Sequence, residues 1–394
     1  MKLTELDTPS LLIDRDKLIR NIARAKASCA KLGVHWRPHL KTHKCLEIAR
    51  LQIEDPTGPA TVSTLKEAEF FASNGITDLI YAVGIAPHKL PRVDRINKSG
   101  ADCKIILDSV EAADAVSRYA RTAGTSFRVL IEIDCDGHRS GLKPGSPEIL
   151  EVARHLKDGV ALVGVLTHAG GSYSAHGDAE LKAAAENEVT AITRVADDLR
   201  AAGFPIEIVS VGSTPTLCAA EKAPGVTEYR SGVGTIFDLF MHGVGVCEIG
   251  DIAESVLVSV IGRQQEKGWL ITDGGWLAMS RDRGTASQAV DWGYGAVCDI
   301  NGNLIPELWV ASANQEHGII ARRDGKPISE SDFPLDTRLR ILPNHACPTA
   351  AAFDRYHIVD HGEATEVWHR INNWEYTLSG ITLTRAYNVI SKKC

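Results

Sequence analysis

Between residues 34 and 232 short β-rich apolar runs alternate with stretches whose apolar residues recur at helical spacing. The runs fall at 34–41, 60–64, 78–83, 103–108, 127–134, 161–169, 206–212 and about 228–232. Between them lie LIRNIARAKASCAKLG, KCLEIARLQ and AELKAAAENEVTAITRVADDLRAAG, which predict helices. Eight strands separated by helices predict an α/β fold, a closed (β/α)8 TIM-like barrel of parallel strands. The last unit is the shortest, since 215–227 leaves room for only a short helix.

After about residue 250 the rhythm changes. ESVLVSVIGR, GWLITDGG, LWVASANQEHGII, TRLRILPN and RYHIVD read as strands with no long helix between them. The chain therefore divides into a barrel over 1–249 and a β-rich C-terminal domain over 250–394, of ordinary domain size.

Composition narrows the function classes. The 394 residues are 44% hydrophobic and 24% charged, with a net charge of −7. That is a globular composition with no electrostatic reason to bind nucleic acid or an anionic membrane. No apolar run approaches the ~20 residues that span a bilayer. The opening MKLTELDTPSLLIDRDK becomes charged too early for a signal peptide. Nine scattered cysteines predict reduced thiols and a cytoplasmic protein rather than a disulfide framework.

In such a barrel the chemistry gathers at the C-terminal strand ends. There the polar residues are His39, Lys41, Asp134, Arg139, His168, Ser213, Thr214 and Arg230. Alternation along a strand puts His39 and Lys41 on one side. A lysine aimed into a barrel mouth loses hydration, so its pKa falls and its amine can attack an aldehyde. A surface lysine at a strand end is the plain alternative, and His39 with His43 also has the spacing of a metal pair. Two glycine-bearing turns, Gly212-Ser213-Thr214 and Gly232-Val233, follow neighbouring late strands and offer backbone N–H groups to a phosphate.

The blocks RPHLKTHK, IEIDCDGHRSG, LTHAGGSY, VSVGSTPT, GGWLAMSRDRGTA and ILPNHACPTA occur in order along the chain. With them the chain resembles the fold-type III pyridoxal-phosphate enzymes, within them the group of D-serine and D-threo-3-hydroxyaspartate dehydratases, with D-threonine aldolases as neighbours. The resemblance implies pyridoxal 5′-phosphate held as a Schiff base on Lys41. Lys44 is the false candidate, placed a turn into the next helix. Arg139 would contact the phenolic oxygen of the cofactor, and Gly212, Ser213, Thr214, Gly232 and Val233 would cradle its phosphate. Arg230 would face the pyridine nitrogen, with His168 and Tyr173 as further contacts.

His345 and Cys347, at i and i+2 of an extended segment, would share one face and suit a borderline-soft ion. The resemblance implies a divalent metal there, Zn²⁺ first, with Mn²⁺ or Mg²⁺ as alternatives. It implies a homodimeric lyase that dehydrates small D-3-hydroxy amino acids, with retro-aldol cleavage to glycine and an aldehyde as the alternative reaction. Against these stand a racemase using Tyr294 as a second base and a metal-only hydrolase built on His39, His43 and His168. The Trp276–Arg283 stretch either borders the site or links strands. Gln315-Glu316-His317 either supplies a carboxylate behind the site or forms an exposed turn.

Overall fold

The computed structural model describes residues 1–375; positions 376–394 of the expected second domain, with Cys394, lie outside the described residues. The first strand, β1 (Ser10–Asp14), precedes the barrel. Eight strands follow: β2 (His35–Pro38), β3 (Ala60–Val62), β4 (Asp78–Tyr81), β5 (Asp102–Leu107), β6 (Phe127–Ile133), β7 (Val160–Thr167), β8 (Ile208–Val211) and β9 (Glu228–Ser231). Each falls within, or one residue beyond, its predicted run. All neighbours pair in parallel, in the order β2-β9-β8-β7-β6-β5-β4-β3. The ring is drawn together just past β2, where His39 bridges to Thr61 and the Leu40 N–H donates to the Thr61 carbonyl at 2.9 Å.

Local chemistry sets the helix ends. The helix Arg15–Leu32 starts where the Asp14 carboxylate accepts from the Lys17 N–H at 3.0 Å, and stops at Gly33 in the left-handed region. Its buried Leu18, Ile22, Ala25 and Cys29 recur at three- and four-residue steps. The short helix expected after β8 is Thr214–Ala219, with Ser213 capping the Thr216 N–H and Pro215 in the first turn.

The second unit is a nine-stranded sheet containing β10 (Glu254–Gln264), β11 (Trp269–Thr272), β12 (Ala296–Cys298), β13 (Leu304–Ala313), β14 (Gly318–Arg322), β15 (Arg338–Leu342), β16 (Arg355–Asp360) and β17 (Glu363–His369). Two sequence readings change here. LWVASANQEHGII is two strands, because the chain reverses at 314–317 and β13 pairs antiparallel with β14. Further, β1 belongs to this sheet: it lies between β10, antiparallel, and β16, parallel. A boundary at 249/250 therefore leaves out the sheet's own N-terminal strand. Leu11 and Ile13 join the sheet's core, which continues into Leu18, Ile22 and Ile48 from barrel helices. Among the described residues no helix is long and apolar enough to cross a membrane. The eight described cysteines are free.

Candidate active site

A cavity of about 750 Å³ opens at the C-terminal ends of the barrel strands. Lys41, Arg139, His168, Tyr173, Gly212, Ser213, Thr214, Arg230, Gly232, Val233, His345 and Cys347 all line it. The barrel thus brings ten of these together and the second unit adds His345 and Cys347, whereas Asp134, also at a strand end, does not line the cavity.

Lys41 stands in the turn after β2, open to the cavity yet walled by protein. Burial lowers its pKa, and the cationic Arg139 and Arg230 push the same way against the sulfur of Cys347. Lys44 does not lie in a helix: it has φ 48° ahead of the helix Leu46–Gln52 and pairs with Glu67 at 3.2 Å. It takes no part in lining the cavity. His43 is fully buried; its Nε2 meets Gln52 Oε1 at 3.0 Å and its Nδ1 accepts from the Cys45 N–H. Both nitrogens being used in packing, the hydrolase built on His39, His43 and His168 loses a ligand.

Two helix N-termini converge on the cavity. Thr214 is the first residue of its helix and Val233 the first of the 3-10 turn Val233–Thr235, so their N–H groups have no partner within those turns. Gly212 has φ +141°, and a Cβ there would meet the Arg230 carbonyl oxygen at 2.1 Å. A Cβ on Gly232 would stand 3.0 Å from Thr42 Oγ1. At both positions a side chain would press on neighbouring protein, so glycine is what lets the two turns pack as they do. Arg230 donates to Ser210 Oγ at 2.6 Å and to the Thr167 carbonyl. Its burial lowers its pKa, with Glu188, Glu228 and Glu132 opposing. Arg139 is 60% exposed, and its Nη2 lies 3.7 Å from Glu132.

His168 donates from Nδ1 to the Gly212 carbonyl at 2.8 Å. Burial brings its pKa down to about 3, so the ring is neutral and Nε2 is an acceptor. Tyr173 packs between His168 and Phe240, at ring separations of 6.0 and 6.5 Å. The Nδ1 atom of His39, on the cavity wall, is buried without a protein partner.

The His345–Cys347 pair is not in an extended segment. His345 is extended, but Ala346–Ala351 is a helix, favoured by alanines and by Pro348 in its first turn. The Ala346 N–H donates to buried Asp238 at 3.0 Å, which anchors this helix start beside the cavity. His345 Nδ1 lies 2.8 Å from Asp282 Oδ2, leaving Nε2 unengaged by that carboxylate. Burial disfavours the charged ring, but the Asp282 and Cys347 contacts prevail and raise its pKa to about 11. Burial alone would raise the Cys347 pKa; His345 lowers it. An imidazole–thiolate pair backed by a carboxylate suits a divalent ion. Among the described residues no cluster of three His, Cys, Asp or Glu forms.

Several residues were not legible beforehand. Asp282 settles the Trp276–Arg283 stretch, which borders the cavity. Gln315-Glu316-His317 is the exposed turn. Tyr294 packs beneath Arg283 at 5.2 Å and is not among the cavity-lining residues of this chain. Asp238, Glu132 and Glu188 carried no sequence signal, being single acids inside ordinary strands, helices and loops.

The barrel and its appended sheet define the alanine racemase-like class. The alanine racemase N-terminal domain model matches residues 13–239 and a putative serine dehydratase domain matches 253–359; the chain belongs to this family. D-threo-3-hydroxyaspartate dehydratase of Delftia sp. (strain HT23) is 50% identical over 94% of this chain and 99% of its own. Its solved structure superposes with a TM-score of 0.93 over 95% of this chain and 100% of that one. Structures of two variants of that enzyme replace a histidine and, in a metal-free form, a cysteine by alanine, two positions apart. D-serine dehydratase of Dictyostelium discoideum is 29% identical over 91% of this chain and 94% of its own. D-threonine aldolase from Filomicrobium marinum shares the fold, at 23% identity and a TM-score of 0.78 over 94% of this chain and 96% of its own. The chain is accordingly a lyase of a pyridoxal-phosphate-dependent family.

Proposed function

We propose that the chain dehydrates D-3-hydroxy amino acids (D-threo-3-hydroxyaspartate, D-serine or D-threonine) to 2-oxo acids and ammonia, using pyridoxal 5′-phosphate and a divalent metal. The observation that carries this reading is the shared cavity: a lysine of lowered pKa, two amide-bearing turns and a His–Cys pair face one space.

Lys41 would hold the cofactor aldehyde, the Thr214 and Val233 amides with Ser213 its phosphate, and Arg230 its ring nitrogen. Arg139, His168 and Tyr173 would complete the contacts, and His345 Nε2 with Cys347 Sγ would hold the metal, Zn²⁺ first, with Mn²⁺ or Mg²⁺ as alternatives. Bound there, pyridoxal phosphate supplies the carbonyl and electron sink for Cα–H cleavage, while the metal turns the 3-hydroxyl into a better leaving group.

The Lys41 amine is then the proton acceptor at Cα, and its lowered pKa favours the unprotonated form that this role needs. Standing on one wall, it reaches one face of the substrate, which selects one α-configuration. The neutral His168 adds no positive charge beside Lys41. Burial raises the pKa of the acid side chains Glu132 and Asp238, while Arg139 and His345 respectively oppose that rise.

The reading includes a cytoplasmic protein and a homodimer. The free cysteines support the first, and the second rests on the family resemblance alone. Incubation with D-threo-3-hydroxyaspartate tests the reaction. Equal amounts of 2-oxo acid and ammonia are expected, whereas glycine without ammonia would establish the aldolase reaction instead.

A further inference from the structure

Glu188 is the one carboxylate of the helix Asp178–Ala201 that lies wholly inside the protein, at 0% exposure. Its Oε1 accepts from the Ala169 N–H at 2.9 Å and from the Gly212 N–H at 3.0 Å. Its Oε2 accepts from Thr216 Oγ1 at 2.7 Å and lies 3.4 Å from the Tyr229 hydroxyl. These donors come from the loop after β7, the turn after β8, the helix that follows, and β9. One side chain thus ties three adjacent strand ends together.

The Gly212 peptide unit is gripped from two sides. Glu188 takes its N–H, and its carbonyl accepts from His168 Nδ1 at 2.8 Å. Its φ of +141° and the Arg230 backbone, which a Cβ would strike, keep this position glycine, so the turn is held through its peptide groups. A second limb runs from Glu188 through Thr216 Oγ1, which accepts from the Ser213 N–H at 3.2 Å. Ser213 Oγ is held in turn by Ser172 at 2.9 Å. Burying a carboxylate is costly unless donors surround it: burial raises the Glu188 pKa, and the Thr216, Gly212 and Ala169 donors, with Arg230, oppose that rise. Its expense is intelligible if the orientation of the turn is what it secures.

We infer that Glu188 is a positioning residue that orients the Gly212–Thr214 turn to receive the cofactor phosphate. Through Gly212 it also fixes the tautomer of His168, leaving Nε2 as the acceptor. This inference rests on the proposed function, because it assumes that the turn holds the phosphate of pyridoxal phosphate.

The test compares pyridoxal phosphate with pyridoxal, which has the aldehyde and lacks the phosphate. Dissociation constants are measured for wild type, Glu188→Ala and Thr216→Val, with folding checked by circular dichroism. Removing the acceptor of two buried amides should weaken pyridoxal phosphate by at least about tenfold and leave pyridoxal within about twofold. Thr216→Val, close in shape, severs only the second limb, and should weaken pyridoxal phosphate by about threefold without affecting pyridoxal. It decides the matter should the alanine variant fail to fold. Unchanged pyridoxal phosphate affinity, or equal losses for both ligands, overturns the role of Glu188. A wild type that binds neither ligand overturns the reading of the whole site, which is a separate result.

Discussion

Replacing Asp282 by Asn should cripple metal retention while leaving the fold intact. In the wild type the carboxylate accepts twice: Oδ2 faces His345 Nδ1 at 2.8 Å and Oδ1 accepts from the Gly284 N–H at 2.7 Å. Asparagine has one acceptor oxygen and one NH₂ donor. If its oxygen serves Gly284, its NH₂ faces His345 and forces the ring proton onto Nε2, the nitrogen meant for the metal. If its oxygen serves His345, its NH₂ opposes the Gly284 N–H. Either arrangement leaves a conflict of about 1–3 kcal/mol, and loss of the charge behind a ligating imidazole acts in the same direction. The expected fall in metal affinity is about 10–100-fold, or ~1.4–2.8 kcal/mol. Metal content after dialysis against graded chelator, alongside thermal unfolding, gives the number. Affinity for Zn²⁺ equal to that of wild type would refute the argument.

Two further outcomes follow from the geometry. Gly212→Ala forces a Cβ to within 2.1 Å of the Arg230 carbonyl oxygen, so the turn must move. Pyridoxal phosphate should bind at least about tenfold more weakly, a strain of 1–3 kcal/mol being available for loss, as measured by fluorescence titration. Buried His43 titrates near pH 3 when folded, against 6.5 for an ordinary imidazole, because burial disfavours its charge. The unfolded chain therefore binds more protons between those values, and stability falls as the pH drops through that window. His43→Gln should lessen the acid slope by up to about 1.4 kcal/mol per pH unit, read from denaturant midpoints at pH 5 and 7.

The barrel was legible because each strand is a short apolar run flanked by helical spacing, a local signal that packing does not overturn. The twelve residues that line the cavity were legible through ordered sequence blocks, and the barrel then explains why such distant blocks meet. Strand β1 was not, since Ser10–Asp14 pairs with strands some 240 and 340 residues away, and no local period encodes a partner. His345 and Cys347 were placed in an extended segment because spacing of two fits a strand. Alanines and Pro348 turn the chain helical instead, and both residues still face the cavity. Asp282, Asp238 and Glu188 act by accepting backbone and side-chain protons from residues remote in sequence. A lone acid announces none of that.

Borohydride reduction of the protein loaded with pyridoxal phosphate, followed by peptide mapping, asks which nitrogen holds the aldehyde. The label should sit on Lys41, and Lys44→Met should take it up as fully as wild type does. A label on Lys44 or another lysine, or a protein that takes up none, would contradict the assignment of this cavity.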